Sequence, residues 1–237
     1  MKKKIVNILL LLVIVILAGI GYKMFSLMHT YADSRATYTS LKEQIIVDAD
    51  AAPLERKPDF SQIETSEGSC SWIYIPDTVI DYPLVQGEDN SFYLEYNAIG
   101  EPSGSGAIFV NCGDSSDMQD NKTIIYGHNM RDGSMFNCLK NYTGSDYANE
   151  HSLLYIYLDN DTTITYRILC TFLASTYDTS IYNNDDDAVS DIVSLLESDY
   201  DAVWHNAASQ DGKLVFLSTC SNGDARRVVV FQEVTVE

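Results

Sequence analysis

Positive charge is scarce in this chain. Its 237 residues carry 15 Lys and Arg against 34 Asp and Glu, a formal charge of −19, and that balance excludes a protein that tracks nucleic-acid phosphates. Neither a CxxC spacing nor a paired His accompanies the five cysteines (Cys70, Cys112, Cys138, Cys170, Cys220), so no metal site is expected. No internal repeat or long low-complexity tract is present, which sets aside a repeat array. What is there is apolar and aromatic: 46% hydrophobic residues with 16 Tyr, too much for a disordered polymer and enough for one sizeable domain plus an appendage.

The first 29 residues contain no Asp or Glu, and four of the lysines (Lys2, Lys3, Lys4, Lys23) lie there, leaving 11 basic residues to face all 34 acidic ones further on. Between Ile5 and Tyr22 only Asn7 interrupts an apolar run. At ~1.5 Å per residue a helix from Ile5 to about Met28 crosses a hydrocarbon core of ~30 Å, with Lys23 snorkelling. Three lysines before it favour a cytoplasmic N-terminus, a single pass and an acidic body outside the cell membrane. A cleaved signal peptide, using the small residues Ala18 and Gly19, is the alternative, and it too exports the body.

Residues 30–47 read as helical, with Leu41, Ile45 and Ile46 on one face. Asp48 to Pro58 reads as a linker broken by Pro53 and Pro58, and the compact domain starts near Glu64. The expected division is a basic tip and anchor over 1–29, a helix and linker over 30–65, and a catalytic domain over 66–237. Eight β runs follow: Trp72–Ile75, Val79–Val85, Ala107–Val110, Thr123–Tyr126, Leu153–Leu158, Thr162–Ala174, Leu214–Thr219 and Val228–Val236. Short strands with Gly, Asn and Asp between them predict a mainly β barrel or sandwich. Val189, Ile192, Val193, Leu195 and Leu196 predict a helix among the late strands, with Asp185, Asp186 and Asp187 as its solvated cap rather than a calcium loop.

Two segments carry chemistry. Thr123 to Phe136 places His128 at the polar end of one β run, and Leu214 to Val230 places Cys220 at the end of another, where a strand anchors a reactive side chain beside an open loop. If Ser221 to Ala225 joins two hairpin strands, Cys220 lies opposite Arg226 and shares its face, whereas Arg227 pairs with Thr219 and points away; a bulge would exchange the two arginines. A thiol, an imidazole and a guanidinium suffice for acyl transfer without a metal or cofactor: nucleophile, proton carrier and oxyanion stabiliser. His29, His151 and His205 lack partner motifs and read as structural.

These segments resemble the sortases. Leu217-Ser218-Thr219-Cys220, Arg226-Arg227-Val228-Val229 and Tyr126-Gly127-His128-Asn129-Met130 match the family's Cys, Arg and His motifs. Trp72 to Pro76, Ile80 to Gln86, Asp89 to Leu94, Gly106 to Val110, Gly133 to Phe136 and a helical insertion at about 186–206 resemble its class B. The resemblance covers roughly 66–237 and implies an eight-stranded β-barrel with peripheral helices, preceded by the transmembrane helix. It implies His128, Cys220 and Arg226 as the catalytic residues and Asn90, Leu94, Tyr126, Ser218, Ile181 and Tyr182 as groove residues, the last two in a loop over the substrate. It also implies the partners: secreted proteins with a C-terminal sorting signal (LPXTG or NPQTN-like), cut after Thr, and a cell-wall peptidoglycan amine as acceptor. A pilin lysine or water remains open as acceptor, and an acidic, tyrosine-rich adhesin with structural Cys220 and His128 is the reading from another class.

Overall fold

The computed structural model describes residues 2–63, 65, 69–183, 185, 187–209, 211–220 and 224–235, without the side chains of Lys2, Val6, Ile8, Leu27 and Cys220. Glu64 at the expected domain start, Asp186 of the expected cap, Ser221 to Gly223 of the hairpin loop and Val236 at the expected strand end lie outside the described residues.

Among the described residues the eight β runs each form a strand and a short ninth, β7, joins them: β1 (Cys70–Tyr74), β2 (Asp81–Gln86), β3 (Ile108–Val110), β4 (Lys122–His128), β5 (Leu153–Tyr157), β6 (Thr163–Ser175), β7 (Val203–Trp204), β8 (Leu214–Cys220) and β9 (Ala225–Glu233). Their order is β5-β1-β2-β3-β4-β8-β9-β6-β7, and β5 also pairs with β6. That pairing closes eight strands into a barrel, which resolves the barrel or sandwich alternative and removes the exposed edges of an open sheet. At 13 residues β6 is long enough to hold β5 along its first part and the two-residue β7 beyond it. Two pairs are parallel, β2 with β3 and β4 with β8, so each needs a crossover. The first crossover carries α2 (Phe92–Glu95); the second carries β5 and β6 together with α3 (Ser145–Glu150), α4 (Thr179–Tyr182) and α5 (Val189–Asp199).

Alternation along the strands fills the interior with Phe109, Phe172, Phe216 and Phe231, all buried. α5 buries Val189, Ile192 and Leu196 at helical spacing, as expected. Its cap differs from expectation: Ala188 takes the N-cap without a side-chain bond, and Asp185 instead accepts from Asn183 Nδ2 at 2.8 Å.

The N-terminal helix is a single element, α1 (Lys2–Ile45). One half is a helix long and apolar enough to cross a membrane; Leu9 through Leu17 each leave half or more of their surface uncovered. The other half docks on the barrel. Ile45 and Ile46 pack with Trp72, Tyr155 and Tyr157 in a second small core on the outer face of β1 and β5, while Tyr38 and Leu41 join the main core.

The stretch expected as a linker is pinned to the same place. Arg56, only 2% exposed, gives Nη2 to both oxygens of Asp81 at 3.2 and 3.1 Å and stacks its guanidinium 4.0 Å from the Tyr74 ring centre. Asp81 also receives Trp72 Nε1 at 2.6 Å and pairs with Lys42 Nζ at 2.6 Å. One carboxylate therefore staples helix, linker and two strands, and removing it strands a buried cation. Asp81→Ala is expected to cost about 3–5 kcal/mol, read as a lower urea midpoint at an unchanged slope; an unaltered midpoint would contradict the staple.

Candidate active site

Three strand ends meet beside the β4–β8 crossover. In the parallel ladder Tyr126 pairs with Ser218, Gly127 with Thr219 and His128 with Cys220. In the antiparallel ladder β8 pairs with β9 from Leu214↔Gln232 to Ser218↔Val228; carried two residues further, that register sets Thr219 against Arg227 and Cys220 against Arg226. Arg227 N donates to Thr219 Oγ1 at 3.0 Å, in keeping with it. Side chains alternate faces along a strand and partners share one, so Tyr126, His128, Ser218 and Arg226 belong to one face, at the end of the ladder where the Cys220 backbone lies. Neighbouring strands lie about 4.8 Å apart, which sets His128 and Arg226 on either side of Cys220. Arg227 takes the other face, across from Leu173.

His128 is half-buried, and its Nε2 lies 2.7 Å from Leu94 O. A carbonyl only accepts, so Nε2 carries the hydrogen and Nδ1 is left as the basic nitrogen. Space for the ring comes from Gly106, whose φ is +57°: a Cβ there would fall 2.4 Å from Tyr93 O and 3.1 Å from His128 Cδ2. The chain after His128 folds back at once, since Phe136 N donates to His128 O at 2.9 Å.

On the β9 side, the Arg226 guanidinium stands 5.8 Å from the Tyr126 ring and 5.6 Å from the Tyr182 ring, within cation–π range. Its buried Nε has no hydrogen-bond partner among the described residues. The two rings are stacked 6.2 Å apart, and Tyr182 Oη and Ser218 Oγ share a hydrogen bond at 3.0 Å. α4, which carries Tyr182, is held from below: buried Lys122 donates to Ile181 O at 3.2 Å, Asn183 O at 3.1 Å and Asn183 Oδ1.

The structure thus gathers His128, the Cys220 backbone, Arg226, Tyr126, Ser218, Tyr182 and Leu94. Asn90 is exposed and bonds elsewhere, to Asn111 Oδ1 at 2.6 Å and from Cys112 N at 2.8 Å. The Ile181 side chain is buried in the core, and only its carbonyl serves the loop. His29 pairs with Asp33, His151 with Pro76 O and His205 with Tyr142 O, the structural roles expected of them. The supports missed from the sequence are the Leu94 carbonyl, Gly106 and Lys122; Leu94 and Gly106 lay in stretches already singled out, though not for these roles, and Lys122 lay outside them.

A family model described as the Sortase domain matches residues 73–235, and the chain belongs to the sortase family. Its relatives are of class B. It is 33% identical over 135 residues to sortase B of Listeria monocytogenes, a match covering 56% of this chain and 53% of that protein. It is 26% identical over 153 residues to sortase B of Staphylococcus aureus, covering 64% and 63%. The matches therefore span between half and two thirds of these relatives. A crystal structure of sortase B from Bacillus anthracis superposes with a TM-score of 0.73 at 25% identity, covering 88% of this chain and all of that one.

Four other cysteines are free thiols, and their surroundings set their reactivity. Burial pushes Cys70 and Cys170 up to about 12, Asp159 adding to the rise at Cys70, and pushes Cys138 up to about 11; Cys112 is exposed. At pH 8 the raised values hold thiolate below that of an unperturbed thiol by roughly two to three orders of magnitude. Iodoacetamide on the native protein should label Cys112 quickly and the other three slowly, the slow three accelerating as pH rises; equal labelling in a peptide mass map would contradict this.

Proposed function

We propose that the chain is a membrane-anchored cysteine transpeptidase in which Cys220 is the nucleophile, His128 the proton carrier and Arg226 the oxyanion stabiliser. The observation that carries the reading is the β4–β8 register, which makes His128 and Cys220 direct partners at the same end of adjacent strands. The Cys220 thiolate adds to the carbonyl carbon after Thr in a sorting signal of the LPXTG or NPQTN class. Arg226, held between Tyr126 and Tyr182, faces the charge that develops on the carbonyl oxygen.

Collapse of the adduct breaks the peptide bond, and imidazolium Nδ1–H protonates the leaving amine. A thioester on Cys220 remains. An incoming cell-wall amine then attacks it, giving its proton to Nδ1, and the Cys220 thiolate leaves as the new amide forms, which restores the starting thiolate and imidazolium. The Nε2 bond to Leu94 O keeps the ring in one tautomer through both halves. Ser218, Tyr182 and Leu94 line the groove for the signal, with Ile181 supporting it from the core. Residues 5–28 cross the membrane with the lysines inside and the barrel outside, where secreted substrates and peptidoglycan are met.

Intact mass after incubation with LPXTG-like, NPXTG-like and NPQTN-like peptides should show one acyl adduct, absent in Cys220→Ala. No adduct with any peptide in a folded sample would sink the reading. Arg226→Ala should lower kcat about 10²–10³-fold, as for loss of an oxyanion donor, while Arg227→Ala stays within a few-fold; the reverse ranking would move the role to Arg227.

A further inference from the structure

α1 reaches the candidate site by two routes. In the first, Tyr38, buried, donates its hydroxyl to Gly106 O at 2.6 Å. Gly106 is the residue against which His128 rests: a Cβ built on it would lie 2.9 Å from Leu94 O, the acceptor of Nε2–H, and 3.1 Å from the imidazole. In the second, Arg35 grips the turn that follows His128, giving Nε to Asp132 Oδ2 at 2.9 Å and Nη2 to Asp132 O at 2.7 Å. That turn closes on His128 itself through Phe136 N. Tyr82 joins the two routes, with its ring edge-on to Tyr38 at 5.3 Å and its hydroxyl accepting from Met135 N at 3.2 Å.

Packing alone does not hold this arrangement. A cleft of about 510 Å³ lies between α1 and the barrel, lined among others by Arg35, Tyr38, Asp132, Ser134 and Met135. Met130, Met135 and Phe136 anchor the ends of the turn in the core, but its tip at Asp132 borders this space, and there the two bonds of Arg35 set its distance from the helix. We infer that the barrel-docked half of α1 is a positioning element for His128, acting through Tyr38 on Gly106 and through Arg35 on Asp132. The inference rests on His128 being the proton carrier proposed above.

The test uses the full chain in detergent micelles, comparing wild type with Tyr38→Phe and with Tyr38→Phe/Arg35→Gln. The first change removes only a hydroxyl and keeps the ring. Four quantities are read: kcat and KM for the peptide that acylates the enzyme, the NMR resonance of the His128 Nε2–H assigned by its loss in His128→Asn, and the thermal midpoint. The double variant should keep KM within about twofold and lose kcat by about tenfold, since displacement of a reacting group acts on the chemical step. Its His128 Nε2–H should exchange faster with solvent, and the midpoint should fall by only a few degrees. Wild-type kcat and an unchanged resonance would overturn the inference, as would a kcat loss that merely tracks the unfolded fraction. If instead His128→Asn retains full turnover, the proposed function fails. The resonance alone then decides whether α1 positions the ring.

Discussion

The parallel ladder from Lys122↔Leu214 to His128↔Cys220 is the constraint on which the rest of the molecule depends. Its strands are 85 or more residues apart in sequence and run the same way, so no hairpin can set their register; only the fit of Ile124, Ile125, Phe216 and Leu217 into the core does. A slip of one residue would take His128 out of register with Cys220. The closed barrel is what makes such a slip costly, because every strand in the ring would have to follow. The hydrophobic interior thus stores the geometry that the polar rim uses.

The polar groups around that rim are secured by backbone carbonyls more than by charges. Leu94 O fixes the imidazole, Gly106 O receives Tyr38, and Ile181 O and Asn183 O hold Lys122. In a chain so acidic this has a physical advantage: a carbonyl does not titrate, so the accepting side of each of these bonds does not change with pH. The carboxylates that do take part, Asp81 and Asp132, each bind a cation and sit largely out of solvent.

Much of the architecture was legible because the strands alternate and α5 repeats its apolar residues at helical spacing. What escaped was short: β7 has two residues and α2 and α4 four each, too few to show any period. The face of Leu41, Ile45 and Ile46 was legible, but not that their helix joins the apolar run without a break, nor that Arg56 in the stretch between two prolines is buried. At the site, the antiparallel pairing of the strands on either side of the loop at 221–223 was legible as a hairpin, and the described ladder runs as far as Ser218↔Val228. The His128 support was not, since Leu94 is 34 residues away and Tyr38 is 68 from Gly106, and no local pattern encodes a carbonyl's partner.

The continuity of α1 from Lys2 to Ile45 makes the barrel's heading a matter of helical phase. With no hinge between the apolar half and the docked half, one residue added between Met28 and Tyr38 would advance the docked end by about 1.5 Å and swing it by about 100° around the helix axis. Two inserted residues would turn the groove nearly to the rear, whereas a full turn's worth would almost restore its bearing at a greater height. Among related chains, length differences in this segment would then be tolerated in steps of three or four residues, like the teeth of a gear.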